Sequence, residues 1–266
     1  MAAGRKGVAP NPAPPTLCKV RVRFAKRGRL RFGSHRDVAR AFERAVRRAG
    51  LPVARSHGFS PHPRLSWVGA APTGTASEAE YLEIGLTCAV DPDRLVADLD
   101  AALPDGLDVL SAVQAVPGGP GLAELINASH WRIQLPQVAP AELAAAVATF
   151  LDTETVIVQR TTKNGPRPVD VRAAVVSAEV ETVQVQPSTE GGDHVLGRTA
   201  HAAEPACAIM TAVVRQTTPA VRPDDVLGAL LAVAGLRPPV PAMAVRLAQG
   251  LLDDRGRLAD PFDAGG

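Results

Sequence analysis

Aromatic residues are scarce: six Phe, two Trp and one Tyr in 266 residues. Cysteine is scarcer. Cys18, Cys88 and Cys207 stand far apart in the sequence with no CxxC or CxxxCxxC spacing. That excludes a zinc ribbon, a cysteine-ligated iron–sulfur cluster and a disulfide framework, and it fits a reducing cytoplasm. The longest apolar run, near Val226 to Leu236, is well short of the roughly 20 residues of a bilayer-spanning helix, so a cytoplasmic protein without a membrane partner is expected. No GxxxxGK[ST] or GxGxxG follows a strand pattern, and GxSxG and HExxH are missing. These gaps argue against nucleotide-binding, α/β-hydrolase and zincin chemistry.

Positive charge is present in one place. Fourteen of the twenty-nine Lys and Arg residues fall between Leu17 and Ser66, where only Asp37 and Glu43 oppose them, although the whole chain carries only +2. A typical surface intersperses both signs, so this concentration points to a phosphate-bearing partner, RNA first. Five of the nine aromatics, Phe24, Phe32, Phe42, Phe59 and Trp67, lie in or beside this stretch.

Lys19 to Ala25 alternates as a strand, with Val20, Val22 and Phe24 on one face and Arg21 and Arg23 on the other. Ser34 and Asp37 form a capping-box signal, and Gly50 with Pro52 ends the helix they start. Along that helix Val38, Phe42, Ala45, Val46 and Ala49 make an apolar stripe, and Arg36, Arg40, Arg44 and Arg47, with Arg48 beside them, take the opposite face. Strands near Arg64 to Ala70 and Glu80 to Leu86, a helix from Pro92 and a strand from Asp108 to Val116 complete a βαββαβ order. This predicts an α+β fold with a ferredoxin-like module, two helices on one face of an antiparallel sheet and the other face open.

A second module is predicted after a Pro- and Gly-rich linker. Its elements are Trp131 to Leu135, a helix at Pro140 to Phe150, Thr155 to Arg160, a strand near Glu179 to Val185, Ala206 to Val214, a helix at Pro223 to Ala234, and Met243 to Ala248. Two tandem ferredoxin-like modules follow: a disordered arm at 1–16, a basic domain at 17–116, a linker at 117–126, a second domain at 127–252 and a disordered tail at 253–266.

Arg29, Arg31, Phe32 and Ser34 join the first strand to a helix N-terminus, where free amides, guanidinium forks and a stacking ring suit phosphate and base. The loop Ser56 to Ser66 holds Phe59, Ser60, His62 and Arg64, with Pro61 and Pro63 stiffening it. Its histidine has alternative readings. His35 and His62 beside arginines could serve a metal-independent ribonuclease as acid and base, or simply fix the loop and cap. A zinc site lacks accompanying thiolates and helical His spacing, so no metal and no cofactor are expected. In the second half, Arg160 to Arg167 reads as a basic hairpin tip containing Lys163 and leading to Arg172, either solvated or extending a groove.

The run from Arg21 to Ser66, RVRFAKRGRLRFGSHRDVARAFERAVRRAGLPVARSHGFSPHPRLS, followed by the acidic strand Glu78 to Leu86, resembles the radical-SAM-linked protein family. The GFSPHP segment, Gly58 to Pro63, is its most specific part, and the basic turn at Lys163 to Arg172 adds to it. The resemblance implies a domain of unknown function fused to, or encoded beside, radical SAM proteins. With no cluster motif here, the radical SAM protein would be a separate chain. The family's genomic association with ribonuclease E/G-type and ribosomal-protein genes implies RNA. The expectation is an accessory subunit binding structured RNA, tRNA or rRNA, for modification or processing. The alternatives are a module docking the radical SAM partner without RNA, and an RNA-cleaving or RNA-modifying enzyme.

Overall fold

The computed structural model describes residues 14–163, 165–181 and 206–263. Over them the chain is a mixed α+β protein with four α-helices and strands that pair mostly antiparallel. Two compact units result: one runs to His130 and resumes at Val245, and the other is Trp131–Ala244.

In the first unit the period-two pattern of β1 (Cys18–Lys26) buries Val20, Val22 and Phe24 on one face. Antiparallel neighbours flank it, β3 (Ala76–Leu86) on one side and β4 (Leu107–Gln114) on the other, with Val20 opposite Ile84 and Val22 opposite Leu82. β2 (Leu65–Val68) pairs with β3 away from β1, giving the order β4-β1-β3-β2. β10 (Met243–Leu252) also pairs directly with β3, parallel to it at Ala76 and Ser77.

Helix α1 (His35–Arg48) starts where expected, because Ser34 Oγ accepts from the Asp37 amide while the Asp37 carboxylate accepts from the Ser34 amide at 3.0 Å. Those hydrogen bonds hold the Asp37 carboxyl below the usual carboxylate range. Asp91 caps α2 (Pro92–Asp100) by accepting from the amides of Asp93 and Arg94, and Pro92 opens it. Both helices pack on the same sheet face. Val38, Phe42 and Val46 of α1 and Leu95 and Leu99 of α2 join the core of Leu82, Ile84 and Leu86. Phe24, Phe42 and Trp67 lock its centre, with ring centroids 4.7–5.9 Å apart.

The opposite sheet face is not open. Ala79 and Tyr81 are covered by Leu122 and Ile126 from the segment read as a linker, and by Phe262 from the segment read as a disordered tail. Leu122 and Ile126 are buried, so residues 117–126 pack on the unit they were expected to leave. In the tail, β11 (Leu258–Ala259) pairs with β10, and Gly250 is required there because a Cβ would sit 2.0 Å from the Ala259 carbonyl oxygen. Phe262 then meets Tyr81 edge-on at 5.6 Å. One apolar ring in a polar, Gly-rich composition is enough to dock the segment. The first thirteen residues of the expected arm and the last three of the tail lie outside the described residues.

Burial, assisted by the charge of Asp260, pushes the Tyr81 phenol up to about 12. As Tyr81 is the chain's single tyrosine, absorbance titration near 295 nm should report it alone, with a midpoint near 12. Phe262→Ala should move that midpoint toward the ordinary value near 10, and an unchanged midpoint would contradict the docking of the tail. The sign follows: the folded state keeps its proton longer than the unfolded one, so stability is intact below pH ~10 and declines from there to pH ~12.

The second unit places β5 (Ala128–Pro136) beside β9 (Cys207–Arg215) and β9 beside β8 (Val175–Val180). Helices α3 (Pro140–Asp152) and α4 (Pro223–Ala234) supply Leu143, Val147, Phe150, Val226 and Leu230 to its core. The expected hairpin forms from β6 (Ile157–Thr162) and β7 (Gly165–Asp170), and β7 begins inside the segment expected as its tip. Asn164 at its turn, and the part of the expected 179–185 strand beyond Glu181, fall outside the described residues. Among the described residues no helix is long and apolar enough to cross a membrane.

Candidate nucleic-acid interface

Ten of the fourteen cations lie on or next to β1 or on α1, and the two sets differ. Those on β1 are consumed by carboxylates and carbonyls that lie far off in sequence. Arg21 stands opposite Glu83 in the β1–β3 register, Lys19 donates to Glu83 at 2.7 Å, and Arg23 reaches the Glu78 carbonyl and Asp260. Arg27 binds Glu78 and Asp108 together, which raises its already high pKa. Lys26 is buried and donates to the carbonyls of Ala71 and Pro72 at 3.2 Å; burial pushes its pKa down. The basic β1 face, expected to await solvent or ligand, is therefore engaged within the unit.

The α1 group is different. Arg36, Arg40, Arg44 and Arg47 are exposed on the helix face opposite its buried stripe, and none of them stands in an ion pair among the described residues. Asp37 feels the charges of Arg40 and Arg36, but its oxygens are taken by the cap. Arg48 is exposed too, yet its guanidinium donates to the Ala102 carbonyl at 3.1 Å.

A short 3-10 turn, Gly28–Phe32, carries the other half of the surface. It is held by the Arg27 amide donating to the Gly106 carbonyl at 2.8 Å and the Gly74 amide donating to the Arg31 carbonyl at 2.8 Å. Gly106, at φ +89°, must be glycine, since a Cβ would lie 2.9 Å from the Arg27 carbonyl oxygen. Gly106→Ala should thus displace the turn and weaken any ligand held by Arg29 and Phe32 while leaving α1 helical. Anisotropy titration alongside circular dichroism checks both. On this turn Arg29 is exposed, Phe32 is 60% exposed and the Arg31 guanidinium lies 4.7 Å over the Phe32 ring.

The loop Ser56–Pro63 is closed at its neck: the Ser56 amide donates to the His62 carbonyl at 2.8 Å, and the His62 amide donates to Ser56 Oγ at 3.0 Å. Phe59 stands at its tip, 90% exposed, with Ser60, His62 and Arg64 also exposed. Among the described residues neither His35 nor His62 hydrogen-bonds through its ring. His35 instead packs edge-on to Trp67 at 5.4 Å. No group of three or more metal-ligating side chains occurs among the described residues. The chemistry offered is phosphate contact and stacking; no oriented acid–base pair accompanies it among the described residues.

The remaining candidates lie in the second unit. Lys163 is exposed at the hairpin end. Arg172 is not free for a ligand: it donates to the Leu151 and Val175 carbonyls and lies 5.9 Å from the Phe150 ring, closing the C-terminus of α3. Arg160 likewise ties β6 to α4 through Asp225 and the Ala220 carbonyl. Sequence reading missed the buried cluster of Lys26, Glu80 and Arg246, in which Arg246 binds Glu80 and also donates to Ser77 Oγ at 3.3 Å. The visible signal was three acids, Glu78, Glu80 and Glu83, in a strand that follows a basic one.

No curated protein matches the chain. The family described as an uncharacterized protein conserved in bacteria, DUF2344, matches residues 19–223. That span takes in the basic turn, α1, the His62 loop and the 157–170 hairpin, and it exceeds half of the sequence; the chain belongs to the DUF2344 family.

Proposed function

We propose that the protein binds structured RNA through the outer face of α1 and the adjoining 28–32 turn and 56–63 loop. It acts, in this reading, as a cytoplasmic recognition subunit beside a radical SAM enzyme on a separate polypeptide. The observation that carries it is the row Arg36, Arg40, Arg44 and Arg47, exposed and without ion pairs among the described residues, on a helix whose other face is committed to the core. Guanidinium groups in a row follow a phosphate backbone, and Phe32 and Phe59 offer π-faces to unpaired bases. The β4-β1-β3-β2 order with two helices on one face supports reading the first unit as ferredoxin-like, and we extend that reading to the second.

Fluorescence anisotropy with a labelled tRNA tests this. Binding should weaken by about three orders of magnitude between 50 and 200 mM salt if about six phosphates are contacted. Binding undetectable at 50 mM salt would reject the reading. Co-purification decides between RNA and direct protein docking: a complex with a radical SAM protein that survives ribonuclease and phosphate competitors would favour docking.

A further inference from the structure

The face of the β1–β3 pair turned away from α1 holds a cleft of about 340 Å³, bounded by Thr16, Arg21, Glu83 and residues 115–121. Its size is at the lower end of small-molecule sites. The Arg21 side chain is only 3% exposed; one terminal nitrogen donates to the Pro120 carbonyl, while Nε lies 3.6 Å from Glu83 Oε2 and makes no hydrogen bond. Thr16 Oγ1, on the same wall, is also buried without a hydrogen-bond partner among the described residues. A buried donor without an acceptor is costly, so two on one cleft mark where an acceptor from outside would be held.

Lys19 and Arg21 share the single carboxylate of Glu83, which leaves this group of three with one surplus positive charge. The rest of the lining includes Leu17, Val116 and Pro117, which are apolar. We propose that this cleft binds a small amphipathic carboxylate. Its oxygens accept from Arg21 Nε and Thr16 Oγ1, and its hydrocarbon part lies along Val116 and Pro117. A single negative charge matches two cations set against one carboxylate, whereas a phosphate dianion would bring a second negative charge toward Glu83. The site is separate from the arginine face, because Arg21 and Glu83 alternate with Val20, Val22 and Ile84, which pack beneath α1.

Isothermal titration calorimetry of the full chain with hexanoate, inorganic phosphate and hexylammonium tests the proposal. Hexanoate should bind saturably, hexylammonium should not, and phosphate should bind more weakly. Thr16→Val should weaken hexanoate about tenfold, and Arg21→Gln should abolish its binding. Should Arg21→Gln fail to fold, the Thr16→Val comparison still decides. No saturable hexanoate heat up to about 10 mM, equal binding of phosphate, or an unchanged Thr16→Val affinity would each overturn the assignment.

Discussion

Reversing Arg36, Arg40 and Arg44 together to Glu should weaken RNA binding by about two orders of magnitude near 0.15 M salt and flatten the salt dependence by roughly three units of slope. Each phosphate contact on a duplex releases close to one counterion, so three lost contacts remove close to three from the slope. The helix should survive. All three side chains are exposed and none is in an ion pair among the described residues, so no such pair is broken by the reversal. Glu at position 36 even meets the positive end of the helix. Circular dichroism should therefore match the parent protein. A variant that folds and binds RNA with an unchanged slope would remove α1 from the interface.

Glu80→Leu should destabilise the first unit by about 3–5 kcal/mol, because it removes from the interior the carboxylate that faces both Lys26 and Arg246. Glu80, Lys26 and Arg246 are all at most 5% exposed, and the single carboxylate sits between the two positive charges while also accepting from the Ala71 amide at 3.1 Å. For a unit of this size the melting temperature should fall by roughly 10–15 °C. Replacing all three together, Glu80→Leu with Lys26→Met and Arg246→Met, should recover most of the loss, since the buried charges are then removed as a set. Scanning calorimetry on both variants gives the comparison, and equal destabilisation by the single and triple variants would contradict the charge argument. The lowered Lys26 pKa has its own signature. The unfolded chain binds that proton more tightly, so the Lys26 contribution to stability should grow as pH rises toward the unfolded lysine value near 10.4, a trend absent from Lys26→Met.

Local signals were legible in the sequence where local physics decides the outcome. Ser34, Asp37 and Gly50 delimit α1 through capping chemistry, and α4 begins at Pro223 for the same kind of reason. Alternation found β1, and the apolar stripe of α1 implied which arginines face outward. Long-range pairing was not legible. Of the fourteen cations between Leu17 and Ser66, Lys19, Arg21, Arg23, Lys26, Arg27 and Arg48 meet partners supplied by residues 71 to 260, so a count along the chain overstated the free charge. β10 was assigned to the second module by chain order, yet from Val245 onward it belongs to the first unit, where Arg246 meets Glu80. The candidate interface was half visible for the same reason: the α1 row follows from helical phase, but the engagement of Arg172 with Leu151 and Val175 depends on packing.

Ultraviolet crosslinking of the protein to RNA in bacterial cells, with the modified residues located by mass spectrometry, tests the central claim most directly. The account expects nucleotide adducts on the segments carrying Phe32 and Phe59, the two exposed aromatics that flank the arginine row, and their loss in the Arg36, Arg40 and Arg44 reversal. Adducts confined to Trp131–Ala244, or none above background, would contradict it.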